Sequence, residues 1–201
     1  LRILMVVSRP EGEGIGFINP RASSEVLLDA IEPLGPENCQ VEFVHPPTIG
    51  ALRQRLEQDP PIHVVHFDGH GVYLKKWALG YVLFEDEDGK KDLVKGKTIG
   101  GLLAEANVPV MILDACQSAD IDAPDPYSSV AAEVIRAGVS AVLAMQYSVL
   151  VPASERFFAA FYGALATGAT VGMATDRGRK DLLDDPLRIK LKVGASEERE
   201  V

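Results

Sequence analysis

Apolar residues along this chain follow two rhythms. Five short runs, Arg2–Val7, Val41–His45, His63–Phe67, Val110–Ala115 and Ala141–Met145, are dominated by consecutive apolar and β-branched residues, the pattern of parallel strands buried on both faces. Between them the apolar positions return every three or four residues, the repeat of a helix with one buried side. Helices are predicted over Ser24–Ile31, with Val26, Leu27, Ala30 and Ile31 on one face, and over Ile49–Leu56, opened by Thr48 as N-cap. A third covers Thr98–Ala106. Ser128–Ala137 and Ala153–Thr167 each run into a glycine stop, Gly138 and Gly168. A last helix, Val171–Leu183, is halted by Asp185–Pro186.

Strand and helix alternate, which predicts an α/β domain with a mostly parallel central sheet and helices on both faces. One insertion breaks the alternation: Tyr81–Phe84, a polar stretch Glu85–Gly89 and then Lys91–Val94 read as a β-hairpin. Residues 1–187 are expected to form one domain. Residues 188–201 hold one possible edge strand, Arg188–Val193, and a charged tail expected to be disordered.

Composition narrows the function. At 201 residues with 47% hydrophobic content the chain suits one well-packed domain. No run of about 18 apolar residues occurs, so no membrane span is expected. A formal net charge of −9, without a basic tract, disfavours nucleic acid and favours basic peptides or partners. The two cysteines, Cys39 and Cys116, sit in unlike contexts and suggest no disulfide framework, hence a reducing, cytoplasmic setting. The chain opens at Leu1 without an initiator Met, which reads as part of a longer polypeptide or a processed product.

Chemistry is expected at the carboxyl ends of the parallel strands, where ligands gather in open sheets. The third run ends in Val64-Val65-His66-Phe67-Asp68-Gly69-His70-Gly71, and the fourth in Ile112-Leu113-Asp114-Ala115-Cys116-Gln117-Ser118. A histidine and a cysteine at neighbouring strand ends suit thiol catalysis, the imidazole of His70 taking the Cys116 proton. The backbone N–H groups of Gly71 and Cys116 are candidate oxyanion donors.

These two segments, His-Phe-Asp-Gly-His-Gly and Leu-Asp-Ala-Cys-Gln-Ser, resemble the CHAT family of caspase-like (clan CD) cysteine peptidases, relatives of caspases, metacaspases and separase. The 46 residues between His70 and Cys116 are close to the spacing in caspases. Downstream, Gly138–Tyr147 and Phe157–Gly168 look like the family's next strand and helix, so the likeness covers roughly residues 1–183. It implies a caspase-like three-layer sandwich, a Cys–His dyad with no metal or organic cofactor, protein or peptide substrates, and control by a fused or separate repeat or sensor region. Metacaspase-like relatives that cut after Arg or Lys carry an acid two residues before the cysteine, and Asp114 matches that position. A basic P1 residue is therefore expected, with Asp114 as first contact, Asp68 as second candidate and Gln146 as pocket wall.

Other readings of these residues are weaker. His63 and His66 point to opposite faces of a strand and are poorly placed to share a metal with His70. Glu85–Asp88 lacks the ligand spacing of a calcium loop. Gly12, Gly14 and Gly16 miss the dinucleotide fingerprint, since Phe17 stands where glycine is needed. Two rival functions are a catalytically idle caspase-like scaffold for signalling and a nucleotide-binding sensor.

Overall fold

The computed structural model describes residues 1–12, 25, 28–29, 31–114, 126–144, 151–184, 190–193 and 197–200. It divides the chain into two compact units, Leu1–Pro20 with Gln40–Ser148, and Arg21–Cys39 with Val149–Val201.

The first unit is built on five parallel strands: β1 (Arg2–Val7), β2 (Gln40–Phe43), β3 (Val64–Asp68), β7 (Val110–Asp114) and β8 (Ala141–Ala144), in the order β2-β1-β3-β7-β8. Each crossover needs a connection long enough to return the chain, and helices α1 (Ile49–Leu56), α2 (Gly96–Glu105) and α3 (Pro126–Arg136) serve in these connections. The result is an α/β fold with a parallel sheet flanked by helices, as the alternation predicts.

Alternation along the strands sorts their side chains onto two faces. Leu4, Val6, Val65, Phe67, Met111 and Leu113 lie on one face and join Leu52, Ile99, Leu103, Val130 and Val134 of the helices in one buried core. Each such aliphatic or aromatic side chain contributes about 1.5–3 kcal/mol of burial free energy. The other face carries Ile3, Met5, Val64, His66, Asp68, Val110, Ile112 and Asp114, so the polar residues of the strand ends share a face opposite this core. α2 approaches α3 closely because Gly96 and Gly100 lack side chains: a Cβ at Gly96 would stand 2.6 Å from the Val130 carbonyl oxygen, and one at Gly100 2.7 Å from Ala137 Cβ.

The predicted hairpin is larger than its sequence pattern. β4 (His70–Leu74), β5 (Leu79–Glu85) and β6 (Lys91–Lys95) make a three-stranded antiparallel sheet in the order β4-β5-β6. β4 is read from the sequence as loop, yet it pairs along its whole length with β5, from His70 opposite Leu83 to Leu74 opposite Leu79.

In the second unit, α4 (Val151–Ala166) packs on α5 (Val171–Asp184) through Phe157, whose ring lies 2.6 Å from where a Cβ on Gly178 would stand. Phe157, Phe158, Phe161 and Tyr162 form a cluster of ring contacts with centroids 5.2–6.4 Å apart. Both glycine stops hold: Gly138 and Gly168 follow α3 and α4 with φ of +111° and +90°. Of the predicted helix Ser24–Ile31, Glu25, Leu28, Asp29 and Ile31 are described and are helical, and a 3-10 turn, Glu32–Leu34, follows. The expected edge strand appears as β9 (Lys190–Val193), and the expected disordered tail instead supplies its antiparallel partner, β10 (Glu197–Glu200). These two strands form a sheet of their own. Among the described residues no helix is long and apolar enough to cross a membrane.

Candidate active site

β3 and β7 are neighbours with Asp68 directly opposite Asp114, so the strand that leads to His70 and the strand that leads to Cys116 end side by side. Cys116 and Gln146 lie outside the described residues, as does the stretch 119–125 ahead of α3.

The approach to His70 is held at consecutive residues. The Asp68 carbonyl accepts the Ser8 N–H at 2.9 Å, continuing the β1–β3 ladder, and the Gly69 N–H reaches the Asp114 carbonyl at 3.3 Å. Gly69 is required by space: a Cβ there would meet the Phe67 ring at 2.6 Å and the Ser8 carbonyl oxygen at 3.2 Å. His70 then opens β4 and is buried, with 4% of its surface exposed. Gly71 is buried in the same strand, opposite Val82.

The two aspartates have different partners. Asp114 is partly exposed, its side chain 17% accessible, and Oδ2 lies 3.7 Å from His66 Nε2. Asp68 is buried and forms an ion pair with Arg9, Nη2 to Oδ2 at 2.7 Å. Burial pushes the Asp68 carboxyl above its usual range, and the negative Asp114 adds to this, while the Arg9 guanidinium and the nearby His66 pull it back down. Asp68 was the second candidate for a substrate cation. In the structure a cation of the chain itself pairs with its carboxylate, and Asp114 is the more accessible of the two acids.

Sequence reasoning overlooked Arg9. Its Nη1 donates to the carbonyls of Ser8 at 3.0 Å and Asp68 at 2.8 Å, and its backbone N–H donates to Glu85 Oε1 at 2.8 Å. The readable signal was a lone cation directly after β1, at the end of the sheet where the acids of β3 and β7 gather. The chain beyond it runs along the β5–β6 connection, Glu11 N–H donating to the Gly89 carbonyl at 2.9 Å.

The other histidine and thiol have structural surroundings. His63 Nδ1 accepts the Arg2 N–H at 2.9 Å, which requires the neutral imidazole, and burial, then the N-terminal charge and Arg2, lower its basicity. Cys39 is free and buried, and burial pushes its thiol up. Among the described residues no group of three or more His, Cys, Asp or Glu is placed to hold a metal ion.

A parallel α/β sheet with an inserted antiparallel meander, in which the strands leading to His70 and to Cys116 end side by side, is the architecture of a caspase-like domain. The chain belongs to the CHAT domain family, whose model matches residues 5–191. The match runs through segments of both compact units and takes in every candidate residue above. Comparison with curated proteins returns no match.

Proposed function

We propose that the protein is a cysteine endopeptidase that uses Cys116 as nucleophile and His70 as base, and that it cleaves after Arg or Lys. The observation that carries this reading is the register of β3 and β7: Asp68 faces Asp114, and His70 and Cys116 each follow two residues later. Membership of a caspase-like family supports it.

In this mechanism His70 takes the thiol proton and the Cys116 sulfur attacks the scissile carbonyl carbon. The developing oxyanion is met by the N–H groups of Gly71 and Cys116. Collapse breaks the C–N bond, the imidazolium protonates the leaving amine, and a thioester remains. Water, deprotonated by the same imidazole, hydrolyses the thioester to acid and free thiol. Asp114 supplies the charge that selects a basic P1 residue, since its carboxylate is the more exposed one and has no Arg or Lys partner among the described residues. Gln146 contributes to the pocket wall. A fused or separate partner is the proposed switch of activity.

The test is hydrolysis of fluorogenic peptides that differ only at P1, by the wild type, Cys116→Ala and His70→Ala. Cleavage after Arg or Lys, lost in both variants, is the expected result. No cleavage with or without partner, together with no labelling of Cys116 by a peptidyl electrophile, would favour the scaffold reading instead.

A further inference from the structure

We propose that Arg9 is a positioning residue for the catalytic base, fixing Asp68, two residues ahead of His70. The inference rests on the peptidase reading of His70 and Cys116.

Arg9 joins three strand ends within the first unit. Through its backbone N–H it holds Glu85, the last residue of β5. Through Nη1 it binds the carbonyls that close β1 and β3, those of Ser8 and Asp68. Through Nη2 it binds the Asp68 carboxylate at 2.7 Å. The Asp68 carbonyl thus accepts from both Ser8 and Arg9, while the adjacent Gly69 N–H is tied to Asp114. His70 follows at once and is held on its other side by β4–β5 pairing opposite Leu83. These bonds tie the parallel sheet to the meander at this corner, and Arg9 is the side chain that takes part in most of them.

The shape of the side chain matters as well as its charge. Arg9 offers separate nitrogens to a carbonyl and to a carboxylate of the same residue, a fork that the single ammonium of lysine does not reproduce. The guanidinium is itself largely buried, 14% exposed. Without it the Asp68 carboxylate, 3% exposed, faces the interior with no neighbouring cation to hold it, and the corner relaxes. A shift of about 1 Å in a reacting group costs up to ~100-fold in rate.

The experiment is the pH profile of alkylation by iodoacetamide, read separately at each cysteine by peptide mass spectrometry. It needs no substrate, and Cys39, buried at 6% exposure, reports global opening in the same sample. Wild type, Arg9→Met, Arg9→Lys and His70→Ala are compared. The wild-type Cys116 is expected to react below pH 7 as an imidazole-paired thiolate. Arg9→Met should slow that reaction by about tenfold or more and move the profile toward an ordinary thiol, near pH 8.5, with Cys39 still protected. Arg9→Lys should fall between the two. Should Arg9→Met fail to fold, Arg9→Lys alone decides. A folded Arg9 variant with the wild-type profile overturns the proposal, as does a slowed Cys116 accompanied by an exposed Cys39, which marks general loosening. A wild-type profile identical to that of His70→Ala overturns the dyad itself and the proposal with it.

Discussion

Asp68 and Asp114 face each other across β3 and β7, yet one is neutralised by Arg9 at 2.7 Å and the other lies 3.7 Å from His66 with a partly exposed carboxylate. Two like charges on adjacent strand ends are tolerable because the buried one carries its own cation and the other has access to solvent or substrate. The pair therefore divides into an acid held by an internal cation and a more exposed one.

Asp114→Asn tests that division. The variant is expected to lose about 10- to 100-fold in kcat/KM on Arg and Lys peptides, the worth of one charge-assisted contact, and far less on peptides with an uncharged P1 residue. Equal losses on all peptides would make Asp114 a partner of His66 alone.

Arg9→Met should destabilise the fold more than Asp68→Asn does. Because burial holds the Asp68 carboxyl above its usual range, its contribution to stability is fully present below the unfolded value, about 3.9, and is lost as pH rises through the higher folded value. Neutral Asn removes a buried charge and still leaves two carbonyls for Arg9. The expected costs at pH 7 are about 1 kcal/mol for Asp68→Asn and about 3 kcal/mol for Arg9→Met. Urea titrations decide the order. The gap between wild type and Asp68→Asn should also narrow between pH 4 and pH 7.

Glu42 sets an opposite pH dependence. Arg55 grips its carboxylate with Nε at 2.6 Å and Nη2 at 2.8 Å, and this hydrogen bonding holds the carboxyl below its usual range. The stabilisation is present above the unfolded value, about 4.3, and is lost as pH falls through the lower folded one. With 39% of the Glu42 side chain exposed, the pair is worth only about 0.5–1 kcal/mol. Glu42→Gln should remove that amount at pH 7 and flatten the acid limb of the unfolding midpoint below pH 4.5. An unchanged acid limb would show that the pair is stabilised equally in the unfolded chain.

Gly69→Ala introduces a methyl 2.6 Å from the Phe67 ring. That ring is fully buried and packs on Phe84 with centroids 5.1 Å apart, so it has little room to yield. A loss of about 1–3 kcal/mol is expected, together with a lower rate of Cys116 alkylation at neutral pH. A variant as stable and as reactive as the wild type would show that the corner ahead of His70 can shift freely.

How much of this was readable in the sequence depended on whether the signal was local. β1, β3, β7 and β8 announce themselves as compact apolar runs, and Thr48 caps α1 as expected, its hydroxyl accepting the Ala51 N–H at 3.0 Å. α2 starts at Gly96, before the predicted Thr98, because its glycines are chosen for contact with α3 rather than for helix propensity. β4 was missed since His-Gly-Val-Tyr-Leu has no two-residue alternation of its own, and its strand character comes from pairing with β5. The positions of His70 and Asp114 followed from the strand ends. Arg9 did not, because the identity of its partner depends on which strands become neighbours.

The order β2-β1-β3-β7-β8 also governs when the site comes into being. Val7 meets Asp68 across 61 residues of chain, and Asp68 meets Asp114 across another 46. Such distant pairings carry the loop-closure entropy of the whole intervening segment and form late in folding. A nascent chain still short of Val110 has β1 and β3 to pair but no β7, and so holds neither the acid of β7 nor the thiol beyond it. On the proposed peptidase reading, reactivity is thereby withheld from incomplete chains by topology alone.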